Sequence, residues 1–522
     1  MTDMFKKGVQ FPPESAIPRL VRYKRGAHAF HGNHAEIYDR IAELIENTPH
    51  QSQLSKLYVA ANIVPILAMK PADLLIGEPP IYKSGKPDAS IEQQGLQRIV
   101  RENDLTTLQH EMVTAMAYRG DGWLKVRLDR RHDASALTAL GLPDRQPIES
   151  IIESVDPSNV FPEISNAAGQ RQFSAINVCW VETIVETSPI LRKESERYIL
   201  HVERHLPGYI VYRDFHLVAP TRRHVDGVFI DLFVIGEEIE LENHVQATGV
   251  TDFLVKHVPY AKSGNRWEGI SLTEQIDPLL ATINDTLTQI SYVLAKHADP
   301  TMYGPDLDEI GETTRVGGRY IEVGKEDVAP GYMTWNAHLD LNFKLIDKLL
   351  AMIFQQAETP QWVFGTTLTA DGGGTGTSHT DSSAIKARFF PLLSKVNRIR
   401  AQVDRALRDS LYNAQLLEQQ QYRELGIDQY EVEYPEIAWR DGLPRDEKYD
   451  AEVANMRTNG LPTMAQRDAI KYLDGKSDEQ AEAVISEIND DNDRLKGTVD
   501  ASIFNPKPPV IPDIPAIDEE VT

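Results

Sequence analysis

The sequence has almost no cysteine and no long hydrophobic run. Cys179 is the only cysteine among 522 residues, so an internal disulfide is impossible and a cysteine-based zinc site is not expected. No stretch of about 18 apolar residues occurs, which predicts that no helix spans a membrane. The N-terminal residues also lack an apolar segment and a small-residue cleavage site, so we do not expect them to form a signal peptide.

Basic residues are too few for a conventional DNA-binding protein. The chain has 54 Lys and Arg against 78 Asp and Glu, giving a formal net charge of −24. Proteins that grip nucleic acid through phosphates are usually basic on at least one face. An acidic surface is compatible with a protein past which DNA moves without adhering, because like charges repel. It is equally compatible with a surface whose charge serves only solubility. The length predicts about three or four domains.

The first half of the chain divides into a helical part and a strand-rich part. Three prolines among the first 30 residues predict an arm or loop there. Helical spacing then predicts one helix from Asn33, a second over 52–76 interrupted at Pro65 and Pro71, and a third over 91–118. Alternating residues predict a β-rich region over 120–260, and Leu206-Pro207-Gly208 indicates a hairpin. The strands are expected at 123–128, 148–155, 176–185, 198–205, 209–215 and 229–234.

Two helices with apolar seams follow, separated by a glycine-containing segment. Ser271-Leu-Thr-Glu274 has the capping-box form and predicts the start of a helix about 40 Å long. Two long helices that bracket a small α/β excursion suggest an out-and-back stalk whose seams pack on each other or on a neighbouring subunit. The seam positions are Leu272, Ile276, Leu279, Ile283, Leu287, Ile290 and Leu294, then Leu339, Phe343, Ile346, Leu350 and Ile353.

Residues 365–383 are small, polar and rich in glycine, which predicts a mobile loop. A long helix is expected after it, with Pro391 as a kink. Its polar face is basic, and such a face is either simply solvated or a surface for a polyanion or an acidic neighbour. Further helices are predicted at 447–458, 464–473 and 477–488, followed by an acidic, proline-rich tail that we expect to be disordered.

Motifs for enzyme chemistry are absent. A P-loop requires Gly-Lys-Ser/Thr at a fixed distance from an earlier glycine, and neither glycine-containing candidate satisfies that spacing after a strand. His201, Glu203 and His205 alternate along a predicted strand, but neighbours on one strand face lie about 7 Å apart, which is wide for ligands of one zinc ion. We therefore interpret them as a solvated sheet face. Cys179 is interpreted as a small core residue.

Four short strings occur in an order and spacing that resemble one protein family, the portal proteins of tailed double-stranded DNA bacteriophages, in particular the siphophage type. Ser383 departs from the family's pattern, which usually has glycine before the Ala-Leu/Ile-Lys at the start of the helix after the loop. The strings are 62–65 (NIVP) leading to 72–80 (ADLLIGEPP), 269–272 (GISL) leading to 283–285 (IND), 376–386 (GTSHTDSSAIK), and 459–463 (NGLPT) followed by 475–478 (GKSD).

The resemblance implies an α+β portal fold that assembles as a ring. Its parts would be an N-terminal arm at 1–29, a wing at 30–270, stem helices at 271–298 and 337–358, a clip at 299–336, a tunnel loop at 359–382, a tunnel helix with its return to the wing at 383–439, a crown at 440–500 and a disordered tail at 501–522.

The function that the resemblance implies is a structural channel at one capsid vertex, without cofactor or metal, for DNA packaging, retention and ejection. Such a ring typically has about twelve subunits. It would be assembled in the host cytoplasm and reside in the virion, with no membrane partner. Its partners would be further copies of itself, double-stranded DNA without sequence preference, the large terminase, head-completion or adaptor proteins, and the major capsid and scaffolding proteins.

The resemblance also assigns roles to individual residues. DNA-facing positions in the tunnel loop would be Thr366, Thr367, Thr369, Asp371, Gly372, Gly373, Gly374, Thr375, Thr377, Ser378 and His379. The tunnel helix would contribute Lys386, Arg388, Lys395 and Arg398, and the clip would bind partners through Tyr303, Asp306, Asp308, Arg315 and Arg319. The stem seam would use Leu272, Ile276, Ile283, Leu287, Ile290, Leu294, Phe343, Ile346 and Leu350.

Two other interpretations remain open from the residues alone. One is an enzyme, cytosolic or encoded by a phage, whose site is assembled from distant residues. The other is a monomeric scaffold or adaptor that binds partner proteins through its acidic tail. An assay of ATP hydrolysis addresses the first alternative, and the mass in solution addresses the second.

Overall fold

The computed structural model describes residues 4–38, 58–166, 172–187, 194–264, 266–297, 302–304, 320–322, 331–332, 339–364, 382–424, 431–440, 442, 447–459, 462–474, 476 and 478–497. The chain forms two compact units. The first contains residues 1–86 and 91–443, and the second contains residues 87–90 and 444–522. The chain combines helices and sheets, as the sequence predicts.

The helices of the described residues are α1 (Ile17–His31), α2 (His34–Tyr38), α3 (Val64–Ile76), α4 (Ile91–Glu102), α5 (Leu105–Arg119), α6 (Ser135–Ala139), α7 (Leu272–His297), α8 (Leu339–Gln356), α9 (Ser382–Glu424), α10 (Glu447–Thr458), α11 (Gln466–Asp474) and α12 (Asp478–Gly497). Short 3-10 turns occur at Glu14–Ala16, Pro157–Asn159 and Gln361–Phe364.

The strands of the described residues are β1 (Gln10–Phe11), β2 (Ile81–Lys83), β3 (Asp121–Asp129), β4 (Glu149–Val155), β5 (Val160–Ser165), β6 (Gln172–Thr187), β7 (Glu194–Leu206), β8 (Tyr209–Val225), β9 (Val228–Ile239), β10 (Val245–Ala247), β11 (Val255–Pro259), β12 (Met302–Gly304), β13 (Tyr320–Glu322), β14 (Gly331–Tyr332) and β15 (Glu436–Ala438).

The expectation of an arm or loop over the first 30 residues is wrong. β1 pairs with β9, and α1 begins with Pro18 in its first turn, where a missing N–H has no cost. The buried side chains of α1, among them Leu20 and Tyr23, pack on one face of the large sheet. Prolines at this end of the chain therefore start a helix instead of preventing one.

The next two predicted helices also have different bounds. The helix predicted over 52–76 begins only at Val64 in the described residues, Pro65 lies in its first turn, and the helix continues through Pro71. The helix predicted over 91–118 is divided into α4 and α5. Asp104 lies between them with a φ of 40°, and its side chain accepts a hydrogen bond from the backbone N–H of Thr107, so it caps α5.

The β-rich region forms a long antiparallel sheet and a smaller one. The large sheet has the strand order β1-β9-β8-β7-β6-β5, with β10 paired to β8. Gly208 has a φ of +87° in the tight turn between β7 and β8, which confirms the predicted hairpin. The smaller sheet has the order β11-β3-β4 and lies against α5 and α9.

Asp121 links three segments at the start of β3. Its carboxylate is fully buried and accepts hydrogen bonds from the Tyr23 hydroxyl, from the His257 ring at 2.6 Å and from the Gly269 N–H at 2.8 Å. Burial, together with this neighbouring carboxylate, raises the pKa of Tyr23. The network therefore ties α1, β3, β11 and the approach to α7 together.

The long helix α9 passes along the core of the first unit. Its apolar stripe is buried against the β11-β3-β4 sheet and against α3 and α4, as the sequence periodicity predicts. After α9 the chain returns to the first unit, where β15 pairs with β2 of the N-terminal part. The buried residues of the stripe are Leu392, Val396, Ile399, Val403 and Leu407.

The second unit contains three short helices at nearly the predicted positions. α10 matches the predicted 447–458, and α12 runs further than the predicted 477–488. α11 packs on both neighbours, and Ala469 and Ala481 are buried between them. Asp88, in the chain segment that belongs to this unit, accepts a hydrogen bond from the backbone N–H of Asp478 at the start of α12.

Candidate functional site

The predicted stem begins where its capping signal predicts. Ser271 precedes α7, and its hydroxyl oxygen accepts a hydrogen bond from the backbone N–H of Glu274 at 3.0 Å. The side chain of Glu274 pairs with Arg266 instead of returning to the N-terminal N–H of the cap, so only half of the capping box is present. The interaction fixes the point at which α7 leaves the β11-β3-β4 sheet region.

Burial of the α7 seam decreases along the helix. Leu272, Ile276 and Ile283 are buried in the main core, and Ile290 is also buried, whereas Leu287 is partly buried and Leu294 is 52% exposed. The expectation that this whole seam packs between subunits is corrected for the four buried residues, because other parts of the same chain already cover them. Only the C-terminal end of α7 leaves apolar surface free.

The seam of α8 shows the reverse gradient. Near its C-terminal end Leu349 and Ile353 are buried, and Leu350 is partly buried in the same core. In its N-terminal half Ile346 is half-buried and Phe343 is 50% exposed. Since α7 and α8 contact each other, they form a two-helix projection that is anchored in the core where α7 begins and α8 ends.

Large apolar side chains remain exposed on the distal part of this projection. These apolar side chains lie on both helices. On a helix pair that faced only solvent, those positions would carry polar residues. Leu341 and Leu345 lie four residues apart on one face of α8, and Phe343 lies on another face. A helix with apolar side chains on more than one face is normally covered by another element or another molecule. We define this exposed set as the distal apolar patch; it consists of Leu294, Leu341, Phe343 and Leu345.

The basic face predicted for α9 is divided by the structure. Lys395 is only 6% exposed, and its ammonium group donates a hydrogen bond to the backbone carbonyl of Ala357 at 2.8 Å. It therefore does not lie on an exposed basic face of α9, and the expectation that places it on that face is wrong. On a helix, residues three and four apart share a face, and Lys395 lies three after Leu392 and four before Ile399, on the apolar stripe itself. This spacing indicates that Lys395 is buried with the apolar stripe, and the prediction of a basic face did not take it into account.

The other basic residues of the predicted tunnel helix differ from Lys395 in exposure or in their partners. Arg398 is more than half exposed and forms an ion pair with Glu358. Lys386 and Arg388 lie in α9, but their side chains are outside the described residues. Arg408 pairs with Asp404 on its own helix.

Most of the predicted clip and tunnel loop lies outside the described residues. Tyr303 belongs to β12, which pairs with β13 in parallel and with β14 in antiparallel fashion. Thr359, at the start of the predicted loop, is buried, and Gln361–Phe364 forms a 3-10 turn. The positions outside the described residues are Asp306, Asp308, Arg315 and Arg319 of the clip, and Thr366, Thr367, Thr369, Asp371, Gly372, Gly373, Gly374, Thr375, Thr377, Ser378 and His379 of the loop.

The interpretation of His201, Glu203 and His205 as a solvated face is wrong in part. His205 is buried, and Glu203 pairs with Lys125 across the junction of the two sheets. Burial favours a raised pKa for Glu203, but the hydrogen bond with His205 and the charge of Lys125 outweigh it and lower the pKa to about 2. The described residues contain no cluster of three or more His, Cys, Asp or Glu side chains placed to hold a metal.

Cys179 is buried in β6, as predicted for a core residue, and burial raises the pKa of its thiol well above the ordinary value. None of the helices in the described part of the chain is both long enough and apolar enough to span a membrane.

Comparisons with known proteins give a likeness among solved structures but none among family models or curated proteins. No protein-family model matches the sequence, and no curated protein matches it. Among solved structures, the chain is similar to a chain from the virion of a native gene transfer agent particle. The TM-score is 0.40 and the sequence identity 10%, over 82% of this chain and 94% of that one.

Two cavities in the first unit were not foreseen from the sequence. A cleft of about 660 Å³ lies beside Lys125 and Glu203 and extends to Gln420 of α9. A second cavity, of about 380 Å³, lies beside Lys395 and Tyr260. Each is lined by residues more than one hundred positions apart, so no local motif could have indicated it.

Proposed function

We propose that this chain is a subunit of a ring-shaped structural channel of the portal type, which resides at one vertex of a virion and through which DNA is packaged, retained and ejected. The observation that carries the proposal is the distal apolar patch on α7 and α8. In a ring, the neighbouring subunit would cover these side chains on every subunit. The order of the elements supports the proposal, because a two-helix projection with β12–β14 between its helices is followed by the Gly-rich segment and by the long helix α9.

Burial of the distal apolar patch would help to hold the ring together. Complete burial of one large apolar side chain contributes roughly 1.5–3 kcal/mol, so a few such residues at each subunit contact stabilise a closed oligomer. We place about twelve subunits in the ring, the number typical of the family. The chain itself would be structural and not an enzyme. The large terminase, head-completion proteins, and the capsid and scaffolding proteins would be its partners.

The charge of the chain suits a passage for DNA. A net charge of −24 repels phosphates, whereas a strongly basic lining would make many phosphate contacts and act as a brake. The burial of Lys395 removes one positive charge from the surface of α9, and Arg398 is paired with Glu358. The described part of α9 is accordingly less basic toward its surroundings than its sequence suggests.

Native mass spectrometry with negative-stain imaging of the purified chain tests the proposal. We expect a ring with a central hole and a mass near about twelve chains of 58.7 kDa. If the chain remains a monomer alone, the same measurement is repeated with capsid and scaffolding protein. A compact monomer or dimer in both cases contradicts the proposal and favours the adaptor, whereas ATP hydrolysis by the isolated chain favours the enzyme.

A further inference from the structure

The cavity beside Lys395 is bounded by the C-terminal end of α8, the first turns of α7, and α9. Its volume is about 380 Å³. Three cationic side chains and one anionic side chain line it, together with an aromatic ring and three amides. The charged and aromatic residues are Tyr260, Lys262, Glu358, Lys395 and Arg398, and the amides belong to Gln275, Gln356 and Gln402.

Lys395 has hydrogen-bonding capacity that the chain does not use. Its ammonium group carries three N–H donors, of which one binds the carbonyl of Ala357 at 2.8 Å. The nitrogen also lies 5.6 Å from the centre of the Tyr260 ring, a cation–π contact. The described residues supply no second hydrogen-bond acceptor to it.

Tyr260 adds a second unused donor. Its side chain is buried, and its hydroxyl oxygen has no hydrogen-bond partner among the described residues. A buried hydroxyl without a partner is unfavourable, so such a group normally has an acceptor or a bound molecule beside it. Within the described part of the chain, the cavity is therefore lined by Tyr260, whose buried hydroxyl lacks an acceptor, and by Lys395, whose buried ammonium group has one acceptor for its three N–H donors.

The charges around the cavity sum to a positive value. Glu358 is the acidic residue in the lining, and it pairs with Arg398. Lys395 and Lys262 are left without a carboxylate partner in the described residues. Glu358 has a φ of 50°, a left-handed conformation that is unfavourable for a residue other than glycine, so the backbone is strained at the cavity wall.

From this geometry we infer that the cavity is a binding site for a small oxyanion. Lys395 and the Tyr260 hydroxyl would bind the anion, and Arg398 would lie at the entrance. The volume accommodates a sulfate-like, phosphate-like or carboxylate group but not a DNA duplex, and Lys395 is too deeply buried for a duplex to reach. The inference does not depend on the proposed function, because it concerns the interior of a single chain.

The protonation of Lys395 supports this inference. Burial lowers its pKa to about 7, the positive charge of Arg398 acts in the same direction, and the negative charge of Glu358 opposes both. A bound anion stabilises the ammonium form and raises that pKa, so binding takes up a proton near neutral pH. Lys262 and Arg398 are the other cationic side chains of the lining, and Glu358 is its acidic one.

Calorimetric titration of the full-length chain with sodium sulfate tests the inference. Sulfate is chosen because its charge does not change between pH 6.0 and 8.5, and chloride keeps the ionic strength constant. We expect one saturable site per chain, with binding about tenfold or more tighter at pH 6.0 than at pH 8.5. Acetate is titrated in parallel, because tighter binding of acetate identifies a carboxylate as the preferred ligand of the same site.

Two substitutions and a matched control locate the site. Lys395→Met removes the cation and is expected to abolish binding, and Tyr260→Phe removes only the hydroxyl and is expected to weaken binding about fivefold. Lys70→Met, on the surface of α3, should leave binding unchanged. Near-UV circular dichroism verifies that each variant is folded. The inference is overturned if the folded wild type shows no saturable binding of either anion, if binding is independent of pH, or if Lys395→Met binds like the wild type.

Discussion

Asp121 is the residue on which the packing of the first unit depends most directly. Its substitution by alanine leaves the Tyr23 hydroxyl, the His257 ring and the Gly269 N–H without their shared acceptor. Removing one partner from a buried polar network costs about 3–5 kcal/mol, so we expect Asp121→Ala to lower the free energy of unfolding by about that amount. Urea denaturation at neutral pH measures the change.

Asp129, at the exposed end of the same strand, provides the matched control for Asp121. It pairs with Arg127 at the surface, and such pairs contribute about 0–1 kcal/mol. We expect Asp129→Ala to change the unfolding free energy by less than about 0.5 kcal/mol. Equal effects of the two substitutions would mean that the buried network does not stabilise the fold.

Lys395 makes the stability of the chain depend on pH in a specific way. Its pKa is about 7 in the folded chain and near 10.5 when unfolded, so between these values the unfolded chain binds more protons. Stability therefore rises with pH in this window, by at most about 1.4 kcal/mol per pH unit, and the cost of burying the ammonium group is complete below pH 7. Lys395→Met removes this dependence.

Paired urea denaturations at pH 6.5 and 9.0 test this behaviour. We expect the stability of the wild type relative to Lys395→Met to increase between the two pH values. The comparison of variants removes the contributions of groups that titrate equally in both. An unchanged difference between pH 6.5 and 9.0 would show that Lys395 keeps an ordinary pKa in the folded chain.

At the scale of elements, features encoded by neighbouring residues were predicted well. The hairpin at Gly208, the bounds of α7 and the stripe of α9 all depend on residues within one or two turns of each other. The division between α4 and α5 also had a local signal, because Asp104 stands three residues before Thr107 as an N-cap does. That signal was missed because the apolar periodicity continues across it.

Pairings between distant segments were not predictable in this way. β15 pairs with β2 across more than 350 residues, and β1 pairs with β9 across more than 220. Short strands of two or three residues carry almost no periodicity, and their pairing is decided by the packing of the whole unit. The same reason explains the Lys395 cavity, since helical spacing predicts which residues share a face but not what covers it.

The start of α7 provides a test at this scale. Ser271→Ala removes the oxygen that accepts from the Glu274 N–H, and loss of such a cap typically costs about 1 kcal/mol. We expect a decrease of that size in the free energy of unfolding. Thr282→Ala, at an exposed position within the same helix, is the control and should be neutral or slightly stabilising, because alanine is the better helix former. A cap substitution no worse than the control would contradict this role of Ser271.

At the scale of the whole molecule, the proposed function predicts that the Gly-rich segment is needed for DNA transport and not for ring assembly. If the proposed function holds, this segment of small residues, without Lys or Arg, would press on DNA without binding it tightly. We expect deletion of 366–380 to impair DNA packaging or retention while ring assembly is unaffected. Packaging assays of particles made with the deletion variant measure the first effect, and native mass spectrometry measures the second. Unchanged packaging and retention would exclude this role for the segment.

The distal apolar patch decides whether the chain assembles through its two-helix projection. We expect Leu341→Ser combined with Phe343→Ser to lower the yield of rings strongly while the urea midpoint of the monomer stays near that of the wild type. These side chains are exposed in a single chain, so their replacement does not change the stability of the monomer. In the oligomer, each of them would contribute about 1.5–3 kcal/mol to a subunit contact by becoming buried, and the substitution removes that contribution.

Two further variants distinguish this effect from a general loss of apolar residues. Leu140→Ser alters an equally exposed leucine beside α6 and should leave the rings intact, because Leu140 lies outside the two-helix projection. Ile353→Ser alters the buried end of α8 and should instead destabilise the monomer itself, by about 2–5 kcal/mol. If the patch variant assembles as well as the wild type, the exposed residues of α7 and α8 are not a subunit contact. The proposal of a ring would then lose the observation that carries it.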